Sequence, residues 1–380
     1  MPLIIRERIK PNQMNIYKSA LILAGVCLLA SLVMLFGGNY EIGAPLLIAF
    51  FVALSIGFRG NPVLKGFAFT LIIFATVVAA LQYPATFIEV NGYKLSKLIT
   101  PLIQIIMFGM GTEMSLKDFA GVVKTPKAVF IGLAGHFTVM PLLGFSLATL
   151  FNFPPEIAAG VVLIGSMPCG LASNVMSYLA NANLALSVTL TAIATVIAPF
   201  VTPLWMKALG GQFIEVDILK MMMDIVEVVI IPIAGGLLFN KFMKGKAEWL
   251  DKAMPILSMF GIACVIVIIV AAGRDKLIVI GPALIICAFL HNSGGYLFGY
   301  WTARLFRLQE RDCRTIAIEV GMQNGGLAAS LATKMGKAAT VGLAAAVFSP
   351  IMNITGSILA SYWHRKPPID TKEPEIVVPT

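Results

Sequence analysis

Glu319 lies in the apolar segment IEVGMQNGGLAASLA, Ile318 to Ala332, with no Lys or Arg inside a neighbouring apolar run to pair with it. An unpaired carboxylate at membrane depth costs about 3 kcal/mol on insertion scales, so a cation is its natural partner. A second apolar segment, GSMPCGLASNVMSYLA from Gly165 to Ala180, is interrupted in the same manner. Pro168 and Gly170 weaken the helix there, as Gly321, Gly325 and Gly326 do around Glu319. Each segment has a Gly-Leu-Ala step close to an Asn, before Asn174 in one and after Asn324 in the other. Backbone carbonyls freed at a helix break are oxygen ligands. Ser173, Asn174, Ser187, Thr191 and Gln323 supply more oxygens, and Ser187 and Thr191 stand i, i+4 on one helix face. A set made only of oxygens suits a hard cation, of which sodium is the natural candidate.

Residues of this kind need a membrane around them, and the composition provides for one. Of 380 residues, 58% are hydrophobic and 12% charged, and the mean hydropathy is +0.89. A soluble domain carries roughly 25% charged residues, so this chain has too little polar surface to cover a globule in water. The net charge of +9 is dispersed in short clusters between apolar runs, which speaks for membrane topology and against nucleic-acid binding. The five cysteines are scattered, without CxxC or Cys/His spacing, which argues against a disulfide framework or a zinc site. No GxxxxGK[ST] phosphate loop, HExxH or GxSxG occurs, so neither an ATP motor of that type nor a nucleophile–base enzyme is indicated.

Apolar windows predict an all-α polytopic membrane protein with about twelve spans, near 18–37, 43–59, 66–84, 98–114, 126–151, 157–178, 184–207, 221–240, 255–272, 277–304, 315–333 and 341–362. Of the 28 Lys and Arg residues, those in alternate loops on one side are Lys94, Lys97, Lys207, Lys220, Arg274, Lys276, Lys334 and Lys337. All others fall on the opposite side, which makes that side cytoplasmic and places both termini there. Trp205, Trp249, Trp301 and Trp363 fall near span ends or in a short loop, as an interfacial belt requires. The expected organisation is a cytoplasmic segment 1–17, an additional hairpin 18–65, a transport domain 66–363 and an unstructured cytoplasmic tail 364–380. Broken helices at corresponding places in two halves, five spans apart and therefore inverted, point to a transport site near the membrane midplane.

At these residues the chain resembles the bile acid:sodium symporter family over about residues 66–363. The resemblance rests on FGMGTEMSLKDF (Phe108 to Phe119), PCGLASNVMSYLA (Pro168 to Ala180), ALSVTLTAIATVIAP (Ala185 to Pro199), His291-Asn292 before a Gly-rich helix, and IEVGMQNGGLA. It implies a bacterial member with an extra N-terminal hairpin, in the inner membrane. The fold it implies is two inverted five-helix repeats, 66–207 and 218–363, with crossed discontinuous helices divided between a panel and a core domain. By resemblance, one sodium ion is held by Ser173, Asn174, Ser187, Thr191 and Glu319. A second uses Glu319, the backbone at Val320 and Met322, Gln323, and a glutamine on the third core helix. In AGHFTVMP, His136 stands in place of that glutamine, which weakens the second site or couples it to pH. The substrate is expected beside Leu171 and Asn324, with Asn353 facing it.

The function so implied is sodium-coupled symport of an organic anion, bile acid-like or a small carboxylate, by alternating access. Sodium, the anion and membrane lipid are the expected partners, with neither nucleic acid nor ATP. A proton-coupled or uncoupled carrier of the same fold is the alternative, and a membrane-embedded enzyme or receptor the rival of another class.

Overall fold

The computed structural model describes residues 11–61, 64–119, 121–243 and 248–368. The chain is an all-α polytopic membrane protein. In hydrocarbon every backbone polar group must be satisfied within the chain, and helices do so segment by segment. Eight of the described helices are long and apolar enough to cross a membrane, and Ala68–Gln82, Pro155–Gly165 and Ile256–Ala272 are shorter apolar helices.

Helices α1 (Pro11–Phe36) and α2 (Tyr40–Phe58) form a tight hairpin. Its seam is narrow because small residues line it: Ala24, Cys27 and Ser31 on α1 and Gly43, Ala53 and Gly57 on α2 are buried, with Leu35 over Gly43 and Leu21 over Gly57. Ser31 donates to the Gly43 carbonyl at 2.9 Å. The hairpin leans on α3 (Ala68–Gln82), where Ser55 donates to the Ala68 carbonyl at 2.8 Å. Within the described residues α1 begins seven residues before the predicted span, with Pro11 at its first position, where a missing N–H costs nothing. Residues 1–10 and the tail from 369 onward lie outside the described residues.

After α3 come α4 (Pro84–Ile88), a minimal β-hairpin of β1 (Glu89–Val90) and β2 (Tyr93–Lys94), and α5 (Ile99–Glu113). The short α6 (Leu116–Phe119) and α7 (Gly121–Lys124) lead to α8 (Pro126–Leu150). Two half-length helices follow, α9 (Pro155–Gly165) and α10 (Ala172–Leu179), and then α11 (Leu184–Ala208). The next helix is α12 (Ile218–Ile225), a π-helical turn (Val226–Ile230) and α13 (Ile231–Met243) in one run. Helices α14 (Glu248–Ala272) and α15 (Arg274–Leu305) precede a second half-length pair, α16 (Glu310–Gly321) and α17 (Gly325–Lys334), and α18 (Val341–His364) closes the bundle. Ten of the twelve predicted windows coincide with one helical run each, α1 and α14 starting seven residues early and the rest matching to within a few residues, and the two Gly- and Asn-bearing windows are the two split pairs.

The helices sort into two packed groups. One holds α3, α5, α12–α13 and α14. There α5 and α13 approach backbone to backbone, since a Cβ on Gly111 would strike the Ile233 carbonyl and one on Gly236 the Phe108 carbonyl. The other holds α8 to α11 and α15 to α18. The groups meet along an apolar seam, with Ile103, Ile266 and Ile269 on one side and Gly326, Ala329 and Ala346 on the other.

Side-chain ties collect at the two ends of the bundle. At the end where α18 finishes, called here the near face, Arg314 donates to the carbonyls of Ala180 and Trp363, both at 3.2 Å. At the opposite, far face, Arg274 donates to the Leu81 carbonyl at 2.6 Å and Lys337 pairs with Glu156. Trp249 and Trp301 are exposed near helix ends, as a belt requires. Trp363 instead packs inward, its ring 5.6 Å from the Arg314 guanidinium and stacked on Tyr300. A buried cation attracts an aromatic face more strongly than the lipid interface does.

Candidate cation and substrate site

The two breaks cross each other. Between α9 and α10, and between α16 and α17, the chain is extended, and the two stretches pair as a one-rung antiparallel ladder with Cys169 opposite Gln323. Gly170 N–H donates to the Met322 carbonyl at 3.3 Å and Asn324 N–H to the Pro168 carbonyl at 2.8 Å. Gly170 eases the close approach: a Cβ there would sit 3.2 Å from the Gln323 carbonyl oxygen, a tight contact. The Asn324 side chain caps α17 by accepting from Leu327 N–H at 3.0 Å.

A broken helix at this depth leaves carbonyls that must find partners inside the protein. Thr202 donates to Ser166 O at 2.7 Å, and Ser173 to Gly170 O at 2.8 Å. Asn292 donates to Gly321 O, and the Gln323 amide to Val320 O at 2.7 Å. His136 serves two carbonyls at once, with Nδ1 3.0 Å from Glu319 O and Nε2 2.8 Å from Met167 O. It thereby links the end of α9 to α16. Asn292 is oriented in turn by Thr355, whose hydroxyl lies 3.4 Å from that of Tyr296.

One turn before the α16 break, Glu319 is buried, with 1% of its surface exposed. Ser187 Oγ donates to one carboxylate oxygen and Thr191 Oγ1 lies 3.0 Å from the other. The same two hydroxyls lie 2.8 and 3.2 Å from Asn174 Oδ1. Ser173 Oγ is 3.5 Å from Thr191 Oγ1, and its hydrogen is engaged by Gly170 O. Ser173, Asn174, Ser187, Thr191 and Glu319 therefore converge from α10, α11 and α16. Each hydroxyl has one hydrogen. Two hydroxyl hydrogens, from Ser187 and Thr191, and the weak thiol donor of Cys169 face three acceptor oxygens, two of Glu319 and one of Asn174. The cluster has more oxygen lone pairs than protons to fill them, and oxygen ligands are what a hard cation prefers.

The residues expected around a second cation are arranged differently. Met322 O is taken up by Gly170 N–H, Val320 O by the Gln323 amide, and both nitrogens of His136 face other carbonyls. Gln323 Oε1 is buried and has no hydrogen-bond partner among the described residues. The expected substrate residues flank the crossing. Leu171 and Asn324 stand immediately before α10 and α17, and half-buried Asn353 follows Met352, whose sulfur accepts from Gln323 N–H at 3.2 Å.

Sequence reasoning missed Arg314, which charge counting assigns to a loop. It is buried, held by Glu310 at 2.9 Å, five residues from Glu319 on the same helix. It also missed Tyr296 and Thr355. A polar stripe opposite Asn292 was the available signal.

Comparison with known proteins gives concordant results. The profile of the Sodium Bile acid symporter family matches residues 100–280. The chain is 38% identical over 300 residues, 79% of its length and 91% of the relative's, to the "Uncharacterized sodium-dependent transporter YocS" of Bacillus subtilis (strain 168). It is 36% identical over 266 residues, 70% of its length and 66% of the relative's, to the "Probable sodium/metabolite cotransporter BASS1, chloroplastic" of Arabidopsis thaliana. The protein of the same name from Oryza sativa subsp. japonica is 34% identical over 277 residues, 72% of this chain and 68% of the relative.

Proposed function

The chain belongs to the sodium bile acid symporter family, and from that premise we propose that it carries an organic anion across the membrane by sodium-coupled symport. It is a transporter and not an enzyme: its relatives are named for sodium-dependent transport and cotransport. The observation that carries the sodium reading is the proton-poor oxygen cluster at Glu319, where a cation supplies the charge that two hydroxyl hydrogens do not.

The anion reading rests on helix ends. Helices α10 and α17 both begin at the crossing, so two N-terminal dipole ends carry partial positive charge there. A carboxylate beside Leu171, Asn324 and Asn353 lies within their field and balances bound sodium. In this reading the group of α3, α5, α12–α13 and α14 is the panel and the rest of the domain the core. The repeats are 66–207 and 218–363, the crossings number about twelve with the hairpin 18–65 additional, and the near face is cytoplasmic.

His136 favours one refinement. A neutral imidazole donates from one nitrogen, so one of its two carbonyl contacts sets lone pair against lone pair. Both ring nitrogens face these carbonyls, so the ring is not free to turn a lone pair toward a second sodium. The refined reading is one sodium at Glu319, with the second site weakened or coupled to pH at His136.

Purified protein in liposomes, screened against organic anions with and without a sodium gradient, tests the whole proposal. Uptake that ignores the gradient overturns sodium coupling. Equal sodium stoichiometry and equal pH profiles for the wild type and His136→Gln overturn the refinement.

A further inference from the structure

One charged cluster joins the two helix groups at the far face, and the cation site makes no use of it. Lys334, the last residue of α17, reaches across to the α12–α13 run. Its Nζ lies 2.8 Å from each carboxylate oxygen of Glu227 and 3.8 Å from Asp224. Glu227 sits in the π-helical turn, where Ile231 N–H bonds to the Val226 carbonyl five residues back and Pro232 follows with no N–H to give. The extra residue in that turn rotates the helix above it relative to the helix below. Ile233 and Gly236 can then face α5 while Asp224 and Glu227, three residues apart, face α17. Gln104 on α5 donates to the Glu227 carbonyl at 3.3 Å and ties the turn to its own group.

Behind this cluster the apolar seam is closed, with Gly326 and Ala329 against Ile103 and the isoleucines of α14. The near face is arranged otherwise. Helix α10, which stands in the first split pair where α17 stands in the second, packs on α11, α16 and α18 of its own group and leaves Val175 and Tyr178 exposed. Of the two half-helices that begin at the crossing, one is fastened across the seam by ions and, among the described residues, the other is not.

We infer that Lys334, Glu227 and Asp224 form a latch that holds the cleft shut on the far face, and that the latch must open before the crossing can be reached from that side. This inference rests on the alternating-access reading. The chemistry suits a reversible contact. All three side chains keep some exposure, 24% for Lys334, 53% for Glu227 and 15% for Asp224, so each regains water when the groups part. A buried, fully desolvated pair would resist parting, and an apolar contact would carry no directional register.

The test is the reactivity of Ala329→Cys, a position 3% exposed in the closed seam, toward a membrane-impermeant maleimide added to the far face of sealed proteoliposomes. The parent chain without that cysteine sets the background from the five native thiols. With the latch intact, labelling is slow. Lys334→Gln is expected to raise its rate about tenfold, which corresponds to a modest shift in population between closed and open forms. Lys334→Arg keeps labelling slow, and the exchange Lys334→Glu with Glu227→Lys restores most of the protection. If Lys334→Gln does not yield monodisperse protein, Glu227→Gln with Asp224→Asn is read in its place. Labelling that is equal with and without the latch overturns the inference and leaves the salt bridge a static tie. A rise that is the same in sodium and in potassium upholds the latch while counting against sodium coupling.

Discussion

A carboxylate that accepts from two hydroxyls while sharing them with an amide oxygen is poorly satisfied by protons alone, and this sets what substitutions at Glu319 should do. Sodium added to the wild-type protein should raise its melting temperature by linkage, because on the proposed reading the ion binds the folded cluster and not the unfolded chain. Glu319→Gln should abolish that rise. Thr191→Val removes one oxygen and keeps the shape, so it should weaken sodium by about tenfold, the equivalent of roughly one charge-assisted bond. Sodium-titrated thermal unfolding measures both. The cluster was legible from sequence because its members break an apolar pattern: a Glu, an Asn and an i, i+4 Ser/Thr pair have few structural reasons to lie at that depth. His136 was legible as a substitution within a motif. Its double contact was not, since Met167 and Glu319 are brought to the same ring only by the crossing.

At the scale of elements, the half-helices are held by their outer ends as much as by the crossing. Arg314 pins α16 to the last carbonyls of α10 and α18 while Glu310 neutralises it. Arg314→Met should therefore lower unfolding stability by about 1–3 kcal/mol, since two helix-end carbonyls lose their donor while Glu310 keeps Tyr300 and Arg304. Denaturant unfolding in a mild detergent is the measurement. At the far face the first turn of α9 is tied to the α17–α18 loop through Glu156. The hydrogen bond from Lys337, then that with Thr340, holds the Glu156 carboxyl below its usual value of 4.5. A lowered folded-state value stabilises above the unfolded value, and that stabilisation is lost as pH falls through the lower one. The gap in melting temperature between the wild type and Glu156→Gln should thus be present at neutral pH and vanish in acid. It should be small, under about 1 kcal/mol, because both partners are well solvated. Helix positions followed directly from hydropathy, with α5, α8, α11 and α18 within three residues of the predicted windows. The π-helical turn at Val226–Ile230 did not. Pro232 marks it in sequence, but a proline is equally compatible with a kink, and only packing against α5 selects the wider turn.

For the molecule as a whole, the sequence predicts two polar interruptions five spans apart, and the structure sorts the helices into two groups and places both breaks in the group of α8 to α11 and α15 to α18. Which residues line the contact between those groups was not legible, because Gly326, Ala329 and Ala346 look like ordinary helix-packing residues until Ile103, Ile266 and Ile269 are seen opposite them. On the alternating-access reading proposed above, that seam has a mechanical meaning. One surface is nearly smooth and the other carries β-branched knobs, so there are no deep ridges to unlock when one slides past the other. It behaves as a plain bearing, with friction set by the largest side chain on the smooth track. Ala329→Leu would put a tooth on that track: sodium-dependent stabilisation should persist, while turnover, measured as initial uptake rate at saturating anion, should fall by about tenfold or more.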